Sequence, residues 1–155
     1  MAQNGRKYGF SGSITGNTTA ATSTAILVTA TTAVRPYLLD LIISSAATPA
    51  DNASEWQVLR STAAGTTTAV TPTAFDSGDP AATSICGKIS SVTPTYSPTV
   101  SLLDIAHNQR ATFRWVAAPG EEIIAPATAS NGWGVSCVAI GGSGVVELVA
   151  AVFGE

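Results

Sequence analysis

Apart from its many serines and threonines, two lysines and three tyrosines, the chain's acid–base and nucleophilic chemistry rests on one histidine, two cysteines and ten carboxylates. His107 stands in Ala106-His107-Asn108-Gln109. A catalytic triad needs such a histidine between an activated nucleophile and an orienting carboxylate. No Gly-x-Ser-x-Gly elbow is present, and Gly141-Gly142-Ser143-Gly144-Val145 fails the pattern. His107 is therefore expected as an exposed loop residue. A zinc site takes three or four Cys or His ligands, and Cys86, His107 and Cys137 are too widely separated to supply them. Asp76/Asp79 and Glu121/Glu122 are paired carboxylates of the kind a glycosidase or a calcium loop would use. Asp76-Ser77-Gly78-Asp79-Pro80 lacks regular ligand spacing and reads as a solvated turn with Asp capping backbone N–H groups. The glycine loop at 141–144 lies between two strand patterns with no Lys after it, so it reads as a hairpin connection, not a phosphate cradle. No catalytic residue, cofactor or metal ligand is assigned, and the chain is read as a non-enzyme.

The aromatic and cationic residues are better candidates for binding. Trp56, Trp115 and Trp133 could stack on a sugar, or serve as core or interface tryptophans. Arg60, Arg110 and Arg114 lie in strand patterns. By alternation they face away from Trp56, Phe113 and Trp115, or close to it, where they could pair with acidic residues of a neighbouring chain.

These residues must be carried by strands. Runs such as Glu55-Trp56-Gln57-Val58-Leu59-Arg60-Ser61 and Arg110-Ala111-Thr112-Phe113-Arg114-Trp115-Val116 alternate with period two. In Tyr37-Leu38-Leu39-Asp40-Leu41-Ile42-Ile43, Leu39, Leu41 and Ile43 share one face, and Leu38, Asp40 and Ile42 the other. Residues 145–153 set Val146, Leu148, Ala150 and Val152 on one face. Turn clusters at 48–52, 76–80 and 118–121, with Asn131-Gly132, separate eight to ten short strands. Eight prolines oppose long helices. The pattern predicts one all-β domain, a jelly-roll-like sandwich or barrel over residues 25–155. Residues 1–24, rich in Gly, Ser, Thr and Asn, are predicted to form an extended arm.

Composition excludes several functions. Lys and Arg total 7 against 10 Asp and Glu, with no basic run, so nucleic acid is not the expected partner. No apolar segment follows Arg6-Lys7, and residues 26–43 are interrupted by Arg35, Pro36 and Asp40, so neither a signal peptide nor a membrane-spanning helix is read. Without a signal peptide, Cys86 and Cys137 are expected as buried free thiols.

Only 11% of residues are charged, against about 25% in ordinary soluble domains. Charges on edge strands guard against edge-to-edge pairing. Residues 25–34, 135–140 and 150–153 carry none. Bare, Ala/Thr/Val-rich margins predict burial by sister copies, in a tight homo-oligomer of threefold symmetry docked on a larger surface.

A family resemblance points the same way. It is carried by Ser44-Ser45-Ala46-Ala47-Thr48-Pro49-Ala50-Asp51-Asn52, Arg60-Ser61-Thr62-Ala63-Ala64-Gly65-Thr66, Ala69-Val70-Thr71-Pro72, Asp76-Ser77-Gly78-Asp79-Pro80-Ala81-Ala82, Asn108-Gln109-Arg110-Ala111-Thr112-Phe113-Arg114-Trp115 and Ala118-Pro119-Gly120-Glu121. In composition and phrase order, residues 37–135 resemble small virion structural proteins of tailed bacteriophages. The resemblance implies a jelly-roll-like domain that decorates or cements the capsid exterior. Such proteins act as trimers on the major capsid protein and need no cofactor. On that reading Arg60, Arg110 and Arg114 supply polar bridges and Trp115 and Trp133 supply packing. Residues 2–12, with Arg6, Lys7, Tyr8 and Phe10, form a reaching arm. A tail or neck protein, or a carbohydrate-binding module using the three tryptophans, are the alternatives.

Overall fold

The computed structural model describes residues 5–16, 23–97, 101–142 and 144–155. Among them there is no helix, and thirteen strands form two antiparallel sheets packed as a sandwich. The first sheet runs β10 (Phe113–Val116), β3 (Tyr37–Ala47), β13 (Val145–Gly154), β1 (Lys7–Gly16), β6 (Thr73–Ala74), with β11 (Ile123–Ile124) also beside β3. The second runs β5 (Thr66–Val70), β7 (Ile85–Val92), β2 (Ser23–Thr29), β12 (Gly132–Ile140), β4 (Ala53–Ala63), β8 (Thr95–Tyr96), with β9 (Leu103–Asn108) also beside β4.

Alternation builds the core. In β4, Trp56 and Val58 turn inward between Glu55 and Gln57. In β13, Val145, Glu147, Val149, Ala151 and Phe153 all point inward. Phe153 stacks on Tyr8 with ring centroids 5.5 Å apart and meets Trp133 edge-on at 6.3 Å, which joins the two sheets. β3 departs from strict alternation. Val152 pairs with Asp40 but Phe153 with Leu38, so Leu39 is an extra residue in the ladder. That bulge returns Leu38 to the core face alongside Leu41 and Ile43.

The N-terminal segment differs from the expected arm. Lys7–Gly16 is a strand inside the first sheet, paired along its whole length with β13 and also with β6. Gly12 lets it approach the second sheet, since a Cβ there would stand 2.2 Å from the Ala25 carbonyl oxygen. Small residues that looked like a flexible tether are the device for close strand packing. Of the remaining predicted arm, residues 1–4 and 17–22 lie outside the described residues.

The charge-free strands are also placed differently. β2 lies between β7 and β12, β12 between β2 and β4, and β13 between β3 and β1. Each has both neighbours within its own sheet, so none is a bare margin. β12 is buried on both faces through Cys137. Its outer face is covered by Tyr96, whose hydroxyl lies 2.5 Å from Thr24 Oγ1. The ring crosses at Gly134, where a Cβ would stand 2.6 Å from that hydroxyl. Burial pushes the Tyr96 phenol up to about 12, against the lowering effect of the bond with Thr24.

Candidate interaction surface

Strand alternation also decides what the first sheet shows to solvent. With Leu41, Phe113, Trp115 and Val149 turned inward, the outer face carries Asp40, Ile42, Arg114, Val116, Leu148, Ala150 and Val152. β1 adds Gly9, Ser11 and Ser13. Phe75, just past β6, lies over Gly9 and is 62% exposed. Between Phe75 and Ile42 runs a shallow groove of about 290 Å³, floored by Ala150 and Val152 and edged by Ser11 and Asp40.

Two of the charges on this face, Asp40 and Arg114, pair with each other, while Lys7 shares the outward parity of Gly9 and Ser11 at one end of it. Arg114 Nε donates to Asp40 Oδ1 at 3.1 Å, and Nη2 to Oδ2 at 2.5 Å. The hydrogen bond to Asp40 and its negative charge raise the Arg114 pKa further. An exposed pair of this kind adds little to stability. Its effect here is to leave no unpaired charge along the groove, where Asp40 is the one charged lining residue. Of six exposed large apolar side chains among the described residues, Phe75, Val116 and Leu148 belong to this face, and exposed apolar surface of this kind makes it the candidate interaction surface.

A second cluster lies between the sheets. Glu147, on the core face of β13, is fully buried. Trp56 Nε1 donates to its Oε2 at 2.6 Å, while Oε1 has no partner. His107 Nε2 lies 3.8 Å from the same Oε2 and 3.1 Å from Ser54 Oγ. Serine and glutamate thus meet the same ring nitrogen, whereas a triad needs them on opposite nitrogens. Ser54 and Glu147 are also buried away from any substrate. The cluster is a polar joint in the core and lacks the layout of a nucleophile site.

His107 is a correction to the sequence reading. It lies in β9 opposite Ser54, on the inner side shared with Ile105, and its side chain is only 5% exposed. The turn at 76–80 is as expected, with Gly78 N–H donating to Asp76 Oδ1 at 2.9 Å. Cys86 and Cys137 are buried free thiols. The glycine loop at 141–144 connects β12 in one sheet to β13 in the other, so it is a crossover between sheets and not a hairpin.

The proposed interface residues do not converge. Arg114 reaches the outer face of the first sheet, and Arg6 and Lys7 are exposed at the start of β1. Trp133 and Tyr8 are fully buried, and Phe10 and Trp115 pack against the core. Arg60 shares the inward parity of Trp56 and Val58. It spans the gap between the sheets, with Nη1 donating to the Ile124 carbonyl at 2.5 Å. Arg110 sits in the turn before β10, its N–H bonded to Asn108 Oδ1. With Trp56 and Trp133 in the core, the three tryptophans form no exposed platform.

Sequence reasoning missed Phe75, which follows a proline-containing segment, and Glu147. The signal for Glu147 was present, since Val145, Val149, Ala151 and Phe153 share its parity and place a carboxyl group on the core face. Comparison with protein-family models, curated proteins and solved structures finds no match to this chain.

Proposed function

We propose that this chain is a structural subunit that decorates and cements the capsid of a tailed bacteriophage, docking on the major capsid protein through the outer face of its first sheet. The observation that carries the reading is the groove on that face: open, lined mainly by apolar side chains, with Asp40, its one charged residue, paired to Arg114. Such a surface is suited to burial against another protein, where unpaired charge would be costly.

The strand order supports a jelly-roll reading of the sandwich. β1 pairs with β13, β2 with β12, β3 with β10 and β4 with β9. The N-terminal half therefore pairs in nested order with the C-terminal half, as in a long hairpin wrapped into two sheets. That architecture is used by viral capsid domains and lectins alike, so on its own it supports a fold and leaves the function to the site. The phrase-level resemblance to virion proteins selects between the two.

The test is to locate and count the chain in purified particles. Decoration predicts a copy number comparable to that of the major capsid protein, and Phe75→Asp should abolish binding to stripped capsids without changing the folded circular-dichroism spectrum. A few copies per particle would assign it to the tail or neck instead. Full occupancy by Phe75→Asp would remove the first-sheet face from the mechanism.

A further inference from the structure

Five of the six strands at the margins of the two sheets are guarded against strand pairing. β10 carries Arg114 and β9 carries Asp104 and His107. β6 and β11 are two residues long, the first preceded by Pro72 and the second by Glu121-Glu122. β8 is equally short and follows Pro94. Charges, prolines and short length are the usual devices that blunt an edge.

β5 has none of them. Thr66–Val70 reads Thr-Thr-Thr-Ala-Val, with no charge and no proline, and it ends the second sheet. Among the described residues it pairs only with β7. Two register steps occur in that ladder, and both extra residues fall on β7, so β5 itself runs without a bulge. β-branched residues dominate it, which favours the extended form. Beside it, Ile85 and Val92 of β7 are 62% and 56% exposed. Among the described large apolar side chains of the second sheet these two are the most exposed, Val92 opposite Thr66 and Ile85 one residue past the end of the β5 ladder.

We infer that β5 is a strand-addition site whose occupant is the β5 strand of a second copy of this chain. A head-to-tail ring would require a second unguarded edge for β5 to meet, and the described strands offer none. Antiparallel pairing of β5 with itself needs only the one edge and closes with two-fold symmetry. This replaces the threefold arrangement expected from composition, and it holds whether or not the chain belongs to a capsid. The register that pairs all five residues sets Thr68 opposite its own copy, with Thr66 facing Val70 and Thr67 facing Ala69. The two second sheets then become one continuous sheet, joined by main-chain hydrogen bonds.

Thr68 is exposed and lies opposite Lys88 within the chain. Thr68→Glu therefore places a carboxylate beside a cation inside each copy, but like charges face to face across the two-fold axis. Sedimentation of the full chain should give a mass that rises from one copy to two with concentration. Thr68→Glu should remain at one copy over the same range with an unchanged circular-dichroism spectrum. A wild-type chain that stays single, a threefold mass, or Thr68→Glu pairing like wild type would each overturn the inference. Amide exchange of the wild-type chain tests it independently of any variant. Protection of Thr66–Val70 that rises with concentration supports the pairing, and protection that does not change refutes it.

Discussion

The joint between Trp56 and Glu147 offers the sharpest test of the core. Trp56 supplies the one hydrogen bond to the buried carboxyl group, at 2.6 Å, and Oε1 already lacks a partner. Trp56→Phe removes that donor and leaves both oxygens unpaired inside the sandwich. Losing a hydrogen bond to a carboxylate costs about 1.5–3 kcal/mol. Exchanging a fully buried indole for a phenyl ring adds about 1–2 kcal/mol of lost packing, a fraction of a full truncation to Ala. The sum is about 2.5–5 kcal/mol. Glu147→Leu alone should also destabilise, because it strands the indole N–H. The double variant strands nothing and should lose only the packing part, so it is more stable than Trp56→Phe alone. Urea titrations of the four proteins give the coupling directly, provided the slopes agree. A coupling of about 1.5–3 kcal/mol is expected. Equal losses from Trp56→Phe in both backgrounds would refute the bond as an energetic link.

Burial pushes the Cys86 and Cys137 thiols up to about 12 from an ordinary value of 9.0, with Glu155 adding to the first and Glu147 to the second. The folded chain holds those protons while the unfolded chain releases them from about pH 9, so the thiols' contribution is intact below that value and is lost towards pH 12. Urea midpoints should accordingly fall between about pH 8 and pH 10.5, and a Cys86→Ser/Cys137→Ser variant should show a smaller fall; an equal fall would place the effect elsewhere. Deleting residues 2–12 removes more than half of β1 from between β13 and β6. The truncated chain should lose its cooperative unfolding transition, whereas a chain that melts like wild type would return the segment to the role of a tether.

Local features were the legible part of this sequence. The alternation of β4 and β10 placed Trp56, Val58, Phe113 and Trp115 on shared faces, and proline and glycine placed the turns. Pairing was not legible, because it is set by long-range contacts. The partner of β1 is β13, at the far end of the chain. A turn such as Asn131-Gly132 looks like a hairpin but leads from β11 in one sheet to β12 in the other. Parity was readable further than alternation alone suggests. Arg60 shares the parity of Trp56, which already aims it between the sheets, and Glu147 shares that of Phe153. Bulges broke the count, among them two that matter most here. The bulge at Leu39 shifts β3 by one residue, and β7 carries the two extra residues opposite β5.

Low charge has a different cause from the one composition suggests. β2, β12 and β13 are free of guards because they are central strands, already paired on both sides. Among the described residues, what remains open is one margin, β5, and one face, the outer side of the first sheet. They belong to different sheets, so occupying one leaves the other accessible. Two copies joined at β5 would present two apolar faces held in one rigid unit. A linked pair of weak contacts binds far more tightly than either alone, provided both can engage at once. The two surfaces should therefore fail in distinguishable ways. Phe75→Asp should remove binding to the shell outright, while Thr68→Glu should leave each single contact intact and lose only the gain from linkage. Its binding should thus weaken most at low protein concentration and recover as the concentration rises. Equal loss from both variants at every concentration would mean that edge and face are parts of one contact.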